Sequence, residues 1–125
     1  IMLTLLTQVA IAVLNDIYTK EDTSRQVLAC LPLKDKESLF DKLCSAGLLT
    51  LVDPEKPDVP GSYELIREPK NISLLDILEA TGEHLVCTHP TTEAFYSRYR
   101  KAARKLGIIN HMTRVYLQEI KLYDL

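Results

Sequence analysis

The sequence predicts a mainly α-helical domain with one small β-hairpin, and three observations carry that expectation. Apolar residues recur at steps of three and four over several stretches of the chain, the period of a helix with one buried face. Two short apolar runs, Leu48 to Val52 and Tyr63 to Ile66, flank a proline-rich stretch and read as a pair of strands. The chain has 125 residues, 46% hydrophobic and 26% charged, which is enough for one globular domain and too little for a second core.

From Thr4 to Tyr18, Leu6, Val9, Ala10, Val13, Leu14 and Ile17 fall at helical spacing, while Leu5, Ile11 and Ala12 widen the stripe beyond one face. A small domain covers one side of such a helix, so the second apolar side calls for another surface, such as a partner chain. Thr23 and Gln26 have capping-box spacing and predict a short helix running to about Cys30. Leu31-Pro32 leaves helical geometry. The next helix opens at Pro32 or is capped at Asp35, turns Leu39, Phe40 and Leu43 inward, and ends at Gly47, which takes the left-handed terminal position without steric cost.

Between the two strand runs lies a tip, residues 53 to 62, with three prolines that cannot donate to a ladder. Ser73 and Asp76 repeat the capping spacing ahead of Leu74-Leu75-Asp76-Ile77-Leu78, and this helix stops near Gly82. Residues 83 to 91 read as a loop, and Thr92-Glu93 starts a last helical region. There Ile108 or Ile109, Met112, Val115 or Tyr116, and Ile120 make an amphipathic stripe. Gly107 costs roughly 1 kcal/mol relative to alanine, so the helix can break or bend there.

Charge and cysteine usage narrow the class. Fifteen basic against seventeen acidic residues, a net of -2, exclude a polycation that holds nucleic acid by bulk charge. Cys30, Cys44 and Cys87 form no CxxC pair and no disulfide framework, and they suit a reducing compartment. Residues 1 to 15 carry no charge, but a membrane-spanning helix needs roughly 20 apolar residues and a signal peptide needs a basic start, whereas the first Lys or Arg is Lys20. The expectation is a cytoplasmic protein without a membrane partner. The chain carries no glycine-rich phosphate loop, no GxSxG and no supported His-Cys or carboxylate pair, so neither an enzyme nor a cofactor is expected.

Helix, helix-turn-helix, two-stranded hairpin is the winged helix-turn-helix order, in which the second helix of the pair enters the major groove. The residues sharpen this. Glu37-Ser-Leu-Phe-Asp-Lys-Leu43, Ala46-Gly47-Leu48-Leu49, Gly61-Ser-Tyr-Glu-Leu65, Ile72-Ser-Leu-Leu-Asp76 and the closing Ile120-Lys-Leu-Tyr-Asp-Leu125 resemble, in sequence and order, the Rrf-two family of bacterial winged helix-turn-helix regulators. That family includes repressors of the iron-sulfur, nitrite-sensitive and cysteine-metabolism types. The resemblance covers most of the chain and is weakest over residues 79 to 105.

The resemblance implies a homodimeric transcriptional repressor bound to double-stranded DNA at a promoter operator. Residues 1–82 would form the winged helix-turn-helix DNA-binding domain, and 83–125 a linker loop and a dimerisation helix that packs on the partner's first helix. It further implies a recognition helix from Lys34 to Ser45 with base-reading positions at Lys34, Glu37 and Ser38. A lysine reaches guanine O6/N7, a glutamate accepts from cytosine N4, and a serine is permissive. Lys36 and Lys42 would meet phosphate, and Arg25 and Lys56 complete the DNA-facing set.

The chain departs from the family pattern in three places. Leu5 and Thr7 stand where the family's first helix is basic, and the wing tip has Lys56 as its one basic residue. Residues 1 to 70 hold eight basic against eleven acidic side chains, a net of -3. An alternative reading follows: a dimeric interaction module of the same fold that has lost DNA binding.

Three further features carry a sharper and a plainer reading. His84, Cys87 and His89 could give three metal ligands or a thiol sensor centred on Cys87. Structural zinc wants four ligands and thiolate-rich spacing, so a loop with two solvated histidines and one thiol is the plainer account, and no metal is assigned. Cys30 and Cys44 are expected as small core residues. Arg98, Arg100, Lys101, Arg104 and Lys105, interleaved with Tyr96 and Tyr99, are either a nucleic-acid patch or a solvated helix face.

Overall fold

The computed structural model describes residues 4–82 and 93–125. The first helix, α1 (Leu5–Thr19), starts where the Thr4 hydroxyl accepts the Thr7 amide and ends at Lys20, in the left-handed region at φ 59°. It buries Val9, Ala10, Val13 and Leu14 completely, leaves Ile11, Ala12 and Ile17 half-covered, and exposes Leu5 and Tyr18. The second apolar side foreseen from the sequence is thus present and incompletely covered within one chain.

Helix α2 (Arg25–Ala29) is not held by a Thr23/Gln26 capping box, which corrects the sequence expectation. The buried Asp16 of α1 takes both donors instead: the Thr23 hydroxyl at 2.5 Å and the Ser24 amide at 2.6 Å. A carboxylate is the stronger acceptor, and charge-assisted bonds of this kind displace a neutral cap. After the turn at Leu31-Pro32, α3 (Leu33–Ser45) begins behind Pro32 and buries Leu39, Phe40 and Leu43. It closes ahead of Gly47, whose φ of 77° only a glycine adopts at no steric cost.

The hairpin pairs β1 (Leu49–Leu51) with β2 (Tyr63–Leu65) in the register Leu49 to Leu65, Thr50 to Glu64 and Leu51 to Tyr63. The Ile66 amide to the Leu48 carbonyl, 3.0 Å, and the Val52 amide to Ser62, 2.7 Å, carry the pairing one residue further each way. Helix α4 (Leu74–Thr81) has the capping box foreseen at Ser73 and Asp76 and stops at Gly82, φ 82°. The Asp76 carboxylate also meets Arg67 at 3.2 Å, fastening the end of the wing to the start of α4.

The last region splits into α5 (Glu93–Arg98) and α6 (Arg100–Glu119). The interruption falls at Tyr99, while Gly107 lies inside an unbroken helix, so the expected break is displaced by eight residues. One glycine costs less than the hydrogen bonds a break would forfeit on both sides of it.

Beyond α6 the chain turns back. The Leu74 amide donates to Ile120 at 2.7 Å and the Leu122 amide to Ile72 at 2.8 Å, forming a one-residue antiparallel bridge. Leu122 thereby enters the main core beside α1, α3 and the hairpin. Leu117 packs separately against Leu75 and Leu78 of α4. The other face of α6 is bare: Ile108, Ile109, Met112 and Tyr116 are each about 60% exposed or more. Among the described residues no helix is long and apolar enough to cross a membrane.

Candidate nucleic-acid interface

The outer face of α3 follows directly from its inner one. With Leu39, Phe40 and Leu43 fixed in the core, helical periodicity turns Lys34, Glu37, Asp41 and Lys42 to solvent. An open groove runs between this face and α4, lined by Lys34, Glu37, Ser38, Asp41, Lys42 and Ser45 on one side and by Glu79 and Ala80 on the other. All three base-reading positions expected from the resemblance, with Lys42, therefore share one groove.

Arg25, Lys36 and Lys56 do not join them. They line a second depression, between α2 and the wing, together with Glu21, Asp22 and Asp58. Arg25 is held by Asp22 at 2.8 Å, with both side chains well exposed. The seven expected DNA-facing residues thus divide into a groove set and a wing set on either side of α3.

The wing is fastened to α3 by one aromatic pair. Tyr63 of β2 stacks on Phe40, ring centroids 4.5 Å apart and 4° from parallel, and its hydroxyl donates to the Pro57 carbonyl at 2.5 Å. Burial, with the nearby Cys44, Asp41 and Asp58, pushes the phenol up to about 12, so the donor is retained throughout the physiological range. The tip, carrying Lys56 among Asp53, Glu55 and Asp58, is therefore positioned by a contact that also faces the core.

Sequence reasoning missed Asp41 and Glu79. Asp41 lies four residues after Glu37 and was legible as a neighbour on the same face. Glu79 comes from another helix, and no local signal points to it. Its carboxylate is also held by Arg114 of α6 at 3.1 Å, which ties the last helix to the rim of the groove.

Cys30 corrects a second expectation. It is exposed at the end of α2, because Leu28 and Leu31 on either side of it take the inward positions. Cys44 is half-buried against the core, and burial, reinforced by Asp41, pushes its thiol up, away from thiolate character. Among the described residues no group of His, Cys, Asp and Glu could hold a metal ion. His84, Cys87 and His89, and with them the redox-thiol reading of Cys87, lie outside the described residues.

The element order, the hairpin register and the groove can be set beside known structures. The chain superposes on CymR (YrzC), the global cysteine regulator of B. subtilis, with a TM-score of 0.59, over 99% of this chain and 94% of that one, at 16% identity. This is the winged-helix fold of CymR. The likeness extends past the hairpin through α5 and α6, so the terminal helices belong to the shared architecture. No family model and no curated protein sequence matches the chain.

Proposed function

We propose that the protein is a dimeric, non-enzymatic DNA-binding regulator of the Rrf-two type, acting as a transcriptional repressor in the bacterial cytoplasm. The observation that carries this reading is the gathering of Lys34, Glu37, Ser38 and Lys42 in one open groove on the outer face of α3, on a CymR fold. In this reading residues 1–82 are the DNA-binding unit, and 83–125 supply a linker and the dimerisation helix α6, after which Ile120 and Leu122 bond back to the start of α4.

Each part then has a physical task. Lys34 and Glu37 offer a donor and an acceptor to base edges in the major groove, with Ser38 beside them. Lys42 positions the helix through phosphate, and Arg25, Lys36 and Lys56 do the same from the wing side. The exposed stripe of Ile108, Ile109, Met112 and Tyr116 supports dimerisation, because an apolar surface of this kind is stabilised by a partner. A two-fold dimer presents two α3 helices to half-sites about one helical turn apart.

A second reading, an interaction module of the same fold without DNA binding, is favoured by the wing tip, where Asp53, Glu55 and Asp58 surround Lys56. Selection of bound duplexes from a random pool separates the two. The regulator reading predicts recovery of a pseudo-palindrome, with binding that weakens steeply with salt; the module reading predicts no enrichment at any ionic strength.

A further inference from the structure

The charge of this chain is divided unevenly. Residues 1–70 carry a net of -3, and on α3 the three lysines Lys34, Lys36 and Lys42 are balanced by Asp35, Glu37 and Asp41. Residues 93–125 hold seven basic against three acidic side chains, a net of +4, and five of those cations fall between Arg98 and Lys105. Binding to a duplex draws much of its free energy from phosphate neutralisation, which the groove by itself is poorly equipped to supply. The chain's cation density lies at the start of α6.

We propose that the basic turn of Arg98, Lys101, Arg104 and Lys105 is a second DNA contact, gripping phosphates that flank the half-site read by α3. This rests on the DNA-binding reading above and extends it to a surface outside the winged helix.

Three observations support it. Lys101, Arg104 and Lys105 stand at steps of three and four, so they share one side of α6, and all are exposed. Among the described residues, no ion pair joins Arg98, Lys101, Arg104 or Lys105 to a carboxylate, whereas Arg25, Arg67, Lys70 and Arg114 are each paired. The Arg98 guanidinium lies 5.7 Å from the centre of the Tyr99 ring, a contact that leaves its charge available.

Distance adds to these. Arg114 bonds Glu79 at the rim of the α3 groove. Arg104 and Lys101 lie ten and thirteen residues earlier on the same helix, about 15 and 20 Å at a rise of 1.5 Å per residue. At about 3.4 Å per base pair, that span corresponds to about four to six base pairs, the reach a contact beside the half-site requires.

The chemistry of the patch selects phosphate over other occupants. Arginine's planar fork matches phosphate oxygens, and lysine adds a point charge. A second copy of this region could offer Glu93, Glu119 and Asp124, since Glu79 is already taken by Arg114. Three carboxylates do not neutralise the four cations of the patch.

The test compares the wild-type chain with a K101Q/R104Q/K105Q triple variant on the duplex recovered by random-pool selection. The variant loses three phosphate contacts in each subunit of the dimer, and each removes about 0.9 from the slope of log K against log salt, so the slope should become shallower by about 5.4. Between 50 and 200 mM salt, wild type would then lose roughly 2,000-fold more affinity than the variant. The selected sequence should stay the same, and a K101R/K105R variant should behave as wild type. Trimming the duplex to its half-sites should weaken wild type and leave the triple variant unmoved.

An unchanged slope, or equal loss on trimming in both proteins, overturns the proposal while leaving the DNA-binding reading intact. Failure of the wild type to enrich any sequence overturns both. Loss of dimer in the triple variant by sedimentation would assign the patch to the second copy instead, and circular dichroism confirms that the variant is folded.

Discussion

Asp16 offers the most quantitative handle on how this domain is held together. It lies on α1, is 2% exposed, and accepts the Thr23 hydroxyl and the Ser24 amide that open α2. Burial alone would raise its carboxyl, but the hydrogen bonds from Ser24 and Thr23 outweigh it and hold the group below its ordinary 3.8. In Asp16→Asn one oxygen can still accept while an NH2 group faces the other donor. One charge-assisted bond is lost and the second weakened, a cost of about 2 to 3 kcal/mol.

The pH dependence of that cost has a definite sign. A carboxyl whose folded-state value is depressed stabilises fully above its unfolded value, and that contribution disappears as pH falls through the folded one. Urea unfolding of wild type and Asp16→Asn at fixed protein concentration should therefore show the full gap at pH 7. The gap should shrink steadily as pH falls below 3.8. A difference under about 0.5 kcal/mol at pH 7, or one that persists undiminished in acid, would refute the inter-helix cap.

Other expectations follow from single contacts. Leu122→Ala should destabilise the fold by about 2 to 5 kcal/mol, because the side chain sits in the main core although it lies three residues before Leu125; calorimetry or urea titration measures it. Tyr63→Phe should cost about 1 kcal/mol by leaving the Pro57 carbonyl without its donor, and an ultraviolet titration of wild type should show one tyrosine ionising near pH 12. Met112→Glu, on the bare face of α6, should leave the folded chain intact and shift sedimentation toward monomer.

The legible parts of the fold were those fixed by near neighbours. Ser73 and Asp76 form the capping box their spacing announces, and Gly47 and Gly82 take the left-handed positions that end α3 and α4. What escaped depends on residues far apart. The Thr23/Gln26 spacing points to a cap that Asp16 displaces from the preceding helix, and Thr7 meets Thr81 through a 2.8 Å hydroxyl contact spanning 74 positions. Leu122 belongs to a segment too short to show any period. The break at Tyr99 carries no glycine or proline to mark it.

The groove divides the same way. Lys34, Glu37, Ser38 and Lys42 share a face by helical period, and the sequence places them together. Glu79 reaches the groove only because α4 packs across α3, and Arg114 reaches Glu79 only because α6 packs on α4. The separation of Arg25, Lys36 and Lys56 into the wing-side depression is likewise a tertiary result.

The measurement closest to the central claim is random-pool selection run in parallel on wild type and Glu37→Gln. If α3 reads bases through its outer face, both proteins recover a two-fold symmetric site, and the variant alone loses its preference at one base pair per half-site, worth about 1 to 3 kcal/mol of discrimination. Identical preferences from the two proteins would show that bases are read somewhere other than the groove of Lys34, Glu37 and Ser38.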